Sequence, residues 1–363
     1  MTHVKLRNAA SPQATARMPE FDIAKCGAFV AVIMGHCSFT GIPTSIIQFC
    51  FSFHMPLFFI VSGYFCKPSA RLDRSFVMRN IKALIIPYGL TCLFIALAAA
   101  VVGAITRVGP PMDSAIHWLV SGVWGSGAIM DGMPPSVGLI GAIWFLWALF
   151  WGRLLLAAAN QMGHPAIVSL ILFIVGISTT NHVWLPFSIQ PGLCATLFLC
   201  IGQLSRTHDV FERGKVSPLL WFCAFMTWLY CAVFFGQMNM AANSYPAGAI
   251  DVIGGTAGSL CLIKGSQALV QRAPRLGQVL ANAGSITLPL LCAHIIELDA
   301  LPWQLILDHL YRFSQIVWPA AFLIQLISTI AIAFAIRLLP RPISSVFYSG
   351  IPDASQEKGR LHR

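Results

Sequence analysis

The chain has 363 residues, of which 57% are hydrophobic and only 10% are charged, and its formal net charge is +10. Soluble domains carry about 25% charged residues, so this composition excludes an ordinary soluble globular domain. Apolar runs close to the length needed to cross a bilayer recur along almost the whole sequence. We therefore expect an all-α protein, a polytopic transmembrane helix bundle.

The apolar stretches predict about ten membrane crossings. In chain order they span 23–40, 44–66, 83–105, 139–158, 165–180, 190–204, 217–236, 246–264, 282–298 and 317–337. Residues 23–337 then form one transmembrane domain between an N-terminal tail, 1–22, and a C-terminal tail, 338–363. The start of the chain is polar and basic and has no small-residue cleavage site, so we expect no signal peptide. Long loops are expected at 106–137 and 299–316.

The basic residues give an independent prediction of topology. An even number of crossings places both termini on one side, and on that side fall all of the 23 lysines and arginines except Arg107 and Arg312. The positive-inside rule then predicts cytoplasmic termini. Because topology explains most of the positive charge, we expect membrane lipids as partners and no nucleic acid.

A histidine and a lysine share one face of the first predicted crossing. Lys25 and His36 lie eleven residues apart, about three helical turns and ~16 Å, and Asp22 lies near the same face. An ionisable side chain at membrane depth is a functional hypothesis by default. A neutral imidazole accepts a proton from a hydroxyl in general-base catalysis. The structural alternative is a histidine that makes an interhelical hydrogen bond.

The second predicted crossing contains His54 about ten residues from its start, shortly before Pro56. A proline removes one backbone hydrogen bond, so we expect a kink near the middle of the membrane that opens space around the imidazole. Ser62 then offers a small hydroxyl. The alternatives are an ordinary membrane-helix kink and a serine that only packs.

The connection after this crossing is strongly basic. It contains Lys67, Arg71, Arg74, Arg79 and Lys82 against a single acidic residue. Such density is typical of a topology signal, but it also suits anionic lipid headgroups or a phosphorylated cofactor that arginine binds in a bidentate manner. The sequence alone leaves these three interpretations open.

Five segments, in this order, resemble the acyltransferase-3 family of integral-membrane O-acyltransferases, with the closest likeness to its fucose 4-O-acetylase-like branch. They are "FDIAKCGAFVAVIMGH", "FSFHMPLFFIVSGYF", "MRNIKALIIPY", "WFLWALFWGRLL" and "LPLLCAHIIEL", and the resemblance covers about residues 20–337. It implies transfer of an acyl group, most often acetyl, from cytoplasmic acyl-CoA to a hydroxyl of a cell-envelope or exported carbohydrate. Acyl-CoA is then a co-substrate, no cofactor is bound, and the protein lies in the bacterial cytoplasmic membrane.

The resemblance also implies roles for individual residues. Lys25 and His36 match the family's pattern of a basic residue separated by ten residues from the catalytic histidine. His54 lies in the second motif and is the second predicted catalytic residue. The donor-binding pattern of two spaced arginines is met literally by Arg71 and Arg74.

By position, the same donor-binding pattern falls on Arg79 and Lys82, just before "IIPY". The late histidine of the family corresponds to His294, where a leucine replaces the usual preceding tyrosine. Glu297, Asp22 and Ser62 are expected to support the reaction or the acceptor, and Asp251 and Asp299 are further residues that could bind a sugar.

Two other classes of function stay open from the residues alone. A proton-coupled secondary transporter or polysaccharide exporter would use the histidines as a proton relay, although no internal repeat is visible. A sensor or scaffold would leave the alignment of Lys25 and His36 without purpose. A covalent acyl intermediate would need Ser62 or Cys37 as nucleophile, without an orienting triad. We expect no metal site, because the histidines are dispersed.

Overall fold

The computed structural model describes residues 17–106, 111–235 and 237–348. All regular structure of useful length in these ranges is helical, which confirms the predicted all-α class. The α-helices are α1 Pro19–His36, α2 Thr44–Phe51, α3 His54–Tyr64, α4 Arg74–Asn80, α5 Ile86–Thr106, α6 Pro111–Trp124, α7 Trp144–Gln161, α8 Pro165–Thr180, α9 Ile189–Thr207, α10 Pro218–Phe234, α11 Ala249–Arg272, α12 Pro274–Ser285, α13 Thr287–Ala300, α14 Trp303–Tyr311, α15 Trp318–Leu338 and α16 Arg341–Phe347.

Fewer helices than predicted meet the length and composition expected of a membrane span. Five helical stretches do so among the described residues: Pro19–Thr40, Thr44–Tyr64, Arg74–Ile105, Gly141–Gln161 and Trp318–Leu338. The pair α12 and α13 adds a sixth if this bent unit is one span, and α8 and α10 are shorter apolar helices. The predicted spans 190–204 and 246–264 coincide with α9 and α11, which are rich in Gly, Ser and Gln. Ten crossings and cytoplasmic termini stay predictions.

Two of the predicted loops contain helices. The segment 106–137 includes α6, which begins at Pro111, and the segment 299–316 includes α14. Proline at the start of a helix costs nothing, because the first backbone N–H groups have no intrahelical acceptor. The predicted C-terminal tail likewise contains α16. Pro111 and Pro302 therefore mark the starts of α6 and α14.

The second crossing is broken at a different place from the one predicted. Instead of a kink within a continuous helix, residues 52 and 53 separate α2 from α3, and Pro56 is the third residue of α3. The proline ring opposes the carbonyl group four residues earlier, that of Ser52, and has no N–H to bond to it. The helix therefore breaks before Pro56, and His54 is the first residue of α3 rather than a residue well inside a helix.

The basic connection is more helical than predicted. The apolar run predicts that the third crossing begins at residue 83. In the structure the helix begins earlier, because α4 begins at Arg74 and continues through a π-helical turn, Ile81–Ile85, into α5. Single π-helical turns are rare and are often found at functional sites. The turn lies beside the cavities described below.

Helix α1 lies at the centre of the bundle and packs against α3, α11, α12, α13 and α15, while α9 packs against α3, α7 and α8. The contact between α3 and α9 is a close backbone approach. A Cβ atom at Gly63 would collide with the Leu199 carbonyl oxygen, and one at Gly202 with the Ile60 carbonyl oxygen. Small residues at such crossings let helices meet at short distance in a membrane.

Candidate active site

Two histidines distant in sequence meet at the end of α1. His36 is the last residue of α1 and is half-buried, whereas His294 of α13 is fully buried. Their ring centroids lie 5.2 Å apart in an edge-to-face arrangement. A bend of 63° between α12 and α13 sets the direction of α13. Pro289, the third residue of α13, has the same position as Pro56 in α3 and accounts for the bend in the same way.

His294 is surrounded by buried polar groups. Its Nδ1 lies 3.5 Å from the Thr329 Oγ1 of α15 and 3.4 Å from the Glu297 Oε2 one turn along α13. His294, Glu297 and Thr329 are all 0% exposed. A carboxylate or hydroxyl next to one ring nitrogen fixes the tautomer and orientation of an imidazole. The arrangement therefore orders His294, and through it the ring of His36.

His54 stabilises the break between α2 and α3 by a hydrogen bond to a backbone carbonyl group of α2. Its Nδ1 lies 2.6 Å from the Cys50 carbonyl oxygen, which only accepts hydrogen bonds, so Nδ1 donates and in the neutral ring Nε2 carries the lone pair. The Phe51 ring lies 4.9 Å from the His54 ring. A Cβ atom at Gly35 would come 2.8 Å from the same Phe51 ring, so a larger residue here would displace the ring. The Phe51 ring thus packs against both His54 and the residue that precedes His36.

A buried amide completes this region, and we call His36, Cys37, His294, Glu297, Gln325 and Thr329 the polar cluster. The Cys37 Sγ lies 3.4 Å from the Gln325 Oε1 and 3.4 Å from the Ile33 carbonyl oxygen. Within the described part of the chain, no hydrogen bond reaches the Nε2 of His294 or the Nε2 of Gln325. Buried polar atoms rarely stay unpaired, so this cluster is suited to a polar ligand.

An apolar cavity of about 260 Å³, the central cavity, runs beside α1 between α3, α7 and α13. Its polar lining is at one end, where Lys25, Ser62 and Arg153 lie, and its other end reaches Val32 and Met55. Val32 precedes His36 by one helical turn, about 6 Å along the axis, and Met55 follows His54. The cavity therefore leads along α1 from Lys25 to just below the histidines.

A second cavity of about 470 Å³ joins the first, and we call it the basic vestibule. Lys67, Arg79 and Asn80 line it, and it shares Ser62, Phe65 and Arg153 with the central cavity. Because the shared residues line both spaces, they form the neck between them. The two cavities therefore adjoin at these residues, and together we call them the passage, which begins among cations and ends in apolar surroundings.

Arg153 is the residue that the sequence analysis missed. The charge distribution predicts a topology signal for Arg153, at the end of the fourth predicted crossing. The structure places Arg153 well inside α7, at the neck. Its Nε donates to the Ser62 Oγ at 3.0 Å and its Nη1 to the Asn80 Oδ1 at 3.3 Å, and none of the described carboxylates forms an ion pair with it. A single arginine in an apolar run, as in "WFLWALFWGRLLLAAA", is the signal that identifies such a residue.

Lys25, in contrast, is neutralised within the protein. The Lys25 Nζ lies 2.8 Å from the Asp22 Oδ1, and the Arg17 Nε donates to the Asp22 Oδ2 at 2.6 Å. Asp22 therefore lies at the basic end of α1, fourteen residues and about 21 Å from His36. The structure separates Asp22 from the histidines and places it where it orients Lys25.

The predicted donor-binding cations do not all face the passage. Arg79 lines the basic vestibule, and its Nη1 donates to the Ser75 Oγ at 3.0 Å, whereas Arg71, Arg74 and Lys82 are exposed and lie outside the lining of both cavities. The two alternative matches to the donor-binding pattern therefore differ in position, and only the later one reaches the cavity wall.

Asp73 caps the N-terminus of α4, the short helix that carries Arg79. Its Oδ1 accepts hydrogen bonds from the Phe76 backbone N–H at 2.7 Å and from the Ser75 hydroxyl at 2.8 Å. These bonds favour the charged form and hold the pKa of Asp73 below its usual value. The cap fixes where α4 begins, and with it the place of Arg79 at the vestibule.

The remaining predicted residues lie away from His36. Ser62 is eight residues, about 12 Å, along α3 from His54 and bonds to Arg153. Asp251 accepts a hydrogen bond from the Ala247 backbone N–H at the start of α11. Asp299 lines an open cavity beside α5 and α6. The described residues contain no group of His, Cys, Asp and Glu that could hold a metal ion.

Comparison with known families agrees with this geometry. Residues 18–338 match a family model, Acyl_transf_3, described as an acyltransferase domain. No curated protein and no solved structure matches the chain. The family match covers the helices that form both cavities and the polar cluster. The chain therefore belongs to the acyltransferase-3 family of membrane acyltransferases.

Proposed function

We propose that this membrane acyltransferase moves an acyl group, most often acetyl, from acyl-CoA on the cytoplasmic side of the bacterial inner membrane to a hydroxyl of an envelope or exported carbohydrate. The observation that carries the proposal is the passage formed by the basic vestibule and the central cavity. It leads from a cationic opening along α1 to Val32, one helical turn before His36. A donor with a charged head and a long, largely uncharged arm fits such a passage.

The cationic groups would bind the phosphates of the donor. Lys67 and Arg79 line the vestibule, and Arg153 stands at the neck without a carboxylate partner among the described residues. Arginine binds phosphate in a bidentate manner. Arg71, Arg74 and Lys82 are exposed near this opening and would draw an anionic donor towards it. The pantetheine arm would then follow α1 past Lys25, along the apolar wall.

His36 would act as the general base. It removes the proton of the acceptor hydroxyl while the oxygen attacks the thioester carbonyl carbon, the C–S bond breaks, and the CoA thiolate receives the proton from the imidazolium. Base catalysis of this kind typically contributes 10²- to 10⁴-fold. His36 is half-buried, so an acceptor can reach it, whereas His294 and Glu297 are buried behind it. These two residues would orient His36, and His54 would support the same site from α3.

The proposal is tested by transfer of label from acetyl-CoA to mixed envelope glycans by the purified protein in lipid. Wild type is expected to label the glycans. His36→Ala is expected to lose at least 10²-fold in rate while it inserts and binds donor normally, because one imidazole has little effect on hydropathy. His164→Ala is the matched control, since His164 is an exposed histidine before α8.

The outcomes separate the possible functions. Transfer at the wild-type rate by His36→Ala would remove this residue from the chemistry. Glycan that accumulates on one side of a vesicle without any gain of label would instead support an exporter. Arg79→Gln is expected to raise the KM for acyl-CoA more than the KM for glycan, and an unchanged donor KM would leave Arg79 only a topology signal.

A further inference from the structure

Gln325 is a fully buried amide beside His36 that the proposed mechanism does not yet use. It lies on α15, one turn before Thr329, whose Oγ1 is 3.5 Å from the His294 Nδ1. Its Oε1 is 3.4 Å from the Sγ of Cys37, the residue that follows His36. Gln325 therefore faces the point where α1, α13 and α15 meet.

The orientation of this amide leaves its donor group available. The single Cys37 thiol proton is shared between the Ile33 carbonyl oxygen and the Gln325 Oε1, so the amide oxygen faces Cys37 as an acceptor. The Nε2 consequently faces the other way, and it has no hydrogen-bond partner among the described residues although the side chain is 0% exposed. Buried N–H groups rarely stay unpaired, so a buried amide of this kind is suited to a ligand that pairs with it.

We infer that the Gln325 Nε2 donates a hydrogen bond to the acyl carbonyl oxygen during transfer, an inference that rests on the proposed function. When the acceptor oxygen bonds to the carbonyl carbon, that carbonyl oxygen becomes an oxyanion. The charge leaves it when the carbonyl re-forms and the thiolate departs. A donor fixed in a site that excludes water stabilises this charge without reorganisation. His36 thus removes the proton of the acceptor hydroxyl, and Gln325 stabilises the negative charge on the carbonyl oxygen.

The test compares Gln325→Met with wild type in the acetyl-transfer assay. Methionine keeps the length of the side chain but has no N–H. Loss of one such donor typically lowers kcat by about 10²- to 10³-fold. Because the oxyanion exists only in the transition state, the KM values and acyl-CoA binding should change little. Gln325→Glu, which keeps the oxygen near Cys37, is the second variant and should also lose kcat.

A matched control outside the polar cluster separates catalysis from packing. Gln190→Met alters another fully buried glutamine, one that bonds Val183 and Leu185 far from His36, and should lower only thermal stability.

A normal kcat in folded Gln325→Met would overturn the inference and leave the proposed function intact. An equal loss of kcat in Gln190→Met would overturn it as well, because the loss of any buried amide would then slow the reaction. The absence of transfer by wild type with any acyl-CoA and glycan would refute the proposed function itself.

Discussion

Replacement of Arg153 by a neutral residue is expected to weaken acyl-CoA binding without altering the helix bundle. Arg153→Gln removes the cation at the neck between the two cavities, where the guanidinium bonds to the Ser62 Oγ and the Asn80 Oδ1. Both of these partners line the basic vestibule, so water can replace the lost hydrogen bonds. The protein should therefore fold, and acyl-CoA should lose its innermost cationic contact.

The magnitude follows from the lack of a competing carboxylate. Hydrogen bonds to charged groups contribute about 1.5–3 kcal/mol, so the loss of one such contact weakens donor binding by about 10- to 150-fold. Arg153→Lys keeps the charge but not the planar fork, and its donor affinity should lie between those of wild type and Arg153→Gln. Arg341→Gln neutralises an exposed cation of α16 and should change the affinity by less than about twofold.

The assay is equilibrium binding of labelled acetyl-CoA to the protein in lipid nanodiscs, with thermal unfolding as the check on folding. Binding should also weaken as salt rises, because the contact is ionic. An unchanged Kd in folded Arg153→Gln would refute the argument that the neck binds the donor. An equal effect of Arg341→Gln would show that only the general positive field matters.

Three further perturbations follow from the packing. Gly202→Ala places a methyl group against the Ile60 carbonyl oxygen and should cost about 1–3 kcal/mol of stability, seen as a lower Tm, whereas an unchanged Tm would contradict the close approach of α3 and α9. Leu291→Trp fills the central cavity and should raise the KM for acyl-CoA while the protein stays folded. An unchanged KM for acyl-CoA would show that the pantetheine arm does not lie in this cavity. His54→Ala leaves the Cys50 carbonyl without its imidazole partner and should lower both Tm and kcat, whereas His54→Asn should restore part of the Tm; equal Tm values in the two variants would show that the hydrogen bond does not hold the break.

The helical class and the shared face of Lys25 and His36 could be predicted from the sequence, because both depend only on local periodicity. Apolar runs predict helices, and the eleven-residue spacing of Lys25 and His36 fixes both on one face of α1 whatever surrounds it. The motifs around these two residues indicated the family that the comparison then showed. The number of membrane crossings was harder to predict from the sequence, because hydropathy alone does not decide whether a short or polar helix spans the membrane.

Tertiary structure alone decided which side chains meet. His36 and His294 are adjacent because the bend before α13 turns that helix towards α1, and Gln325 joins them from α15. Hydrophobic periodicity says which face of a helix is buried but not which helix covers it, so contacts across hundreds of residues leave no local signal. Arg153 shows the same limit in another form. Its charge was visible in the sequence, but its meaning depends on two cavities that exist only when α3, α7 and the π-helical turn pack together.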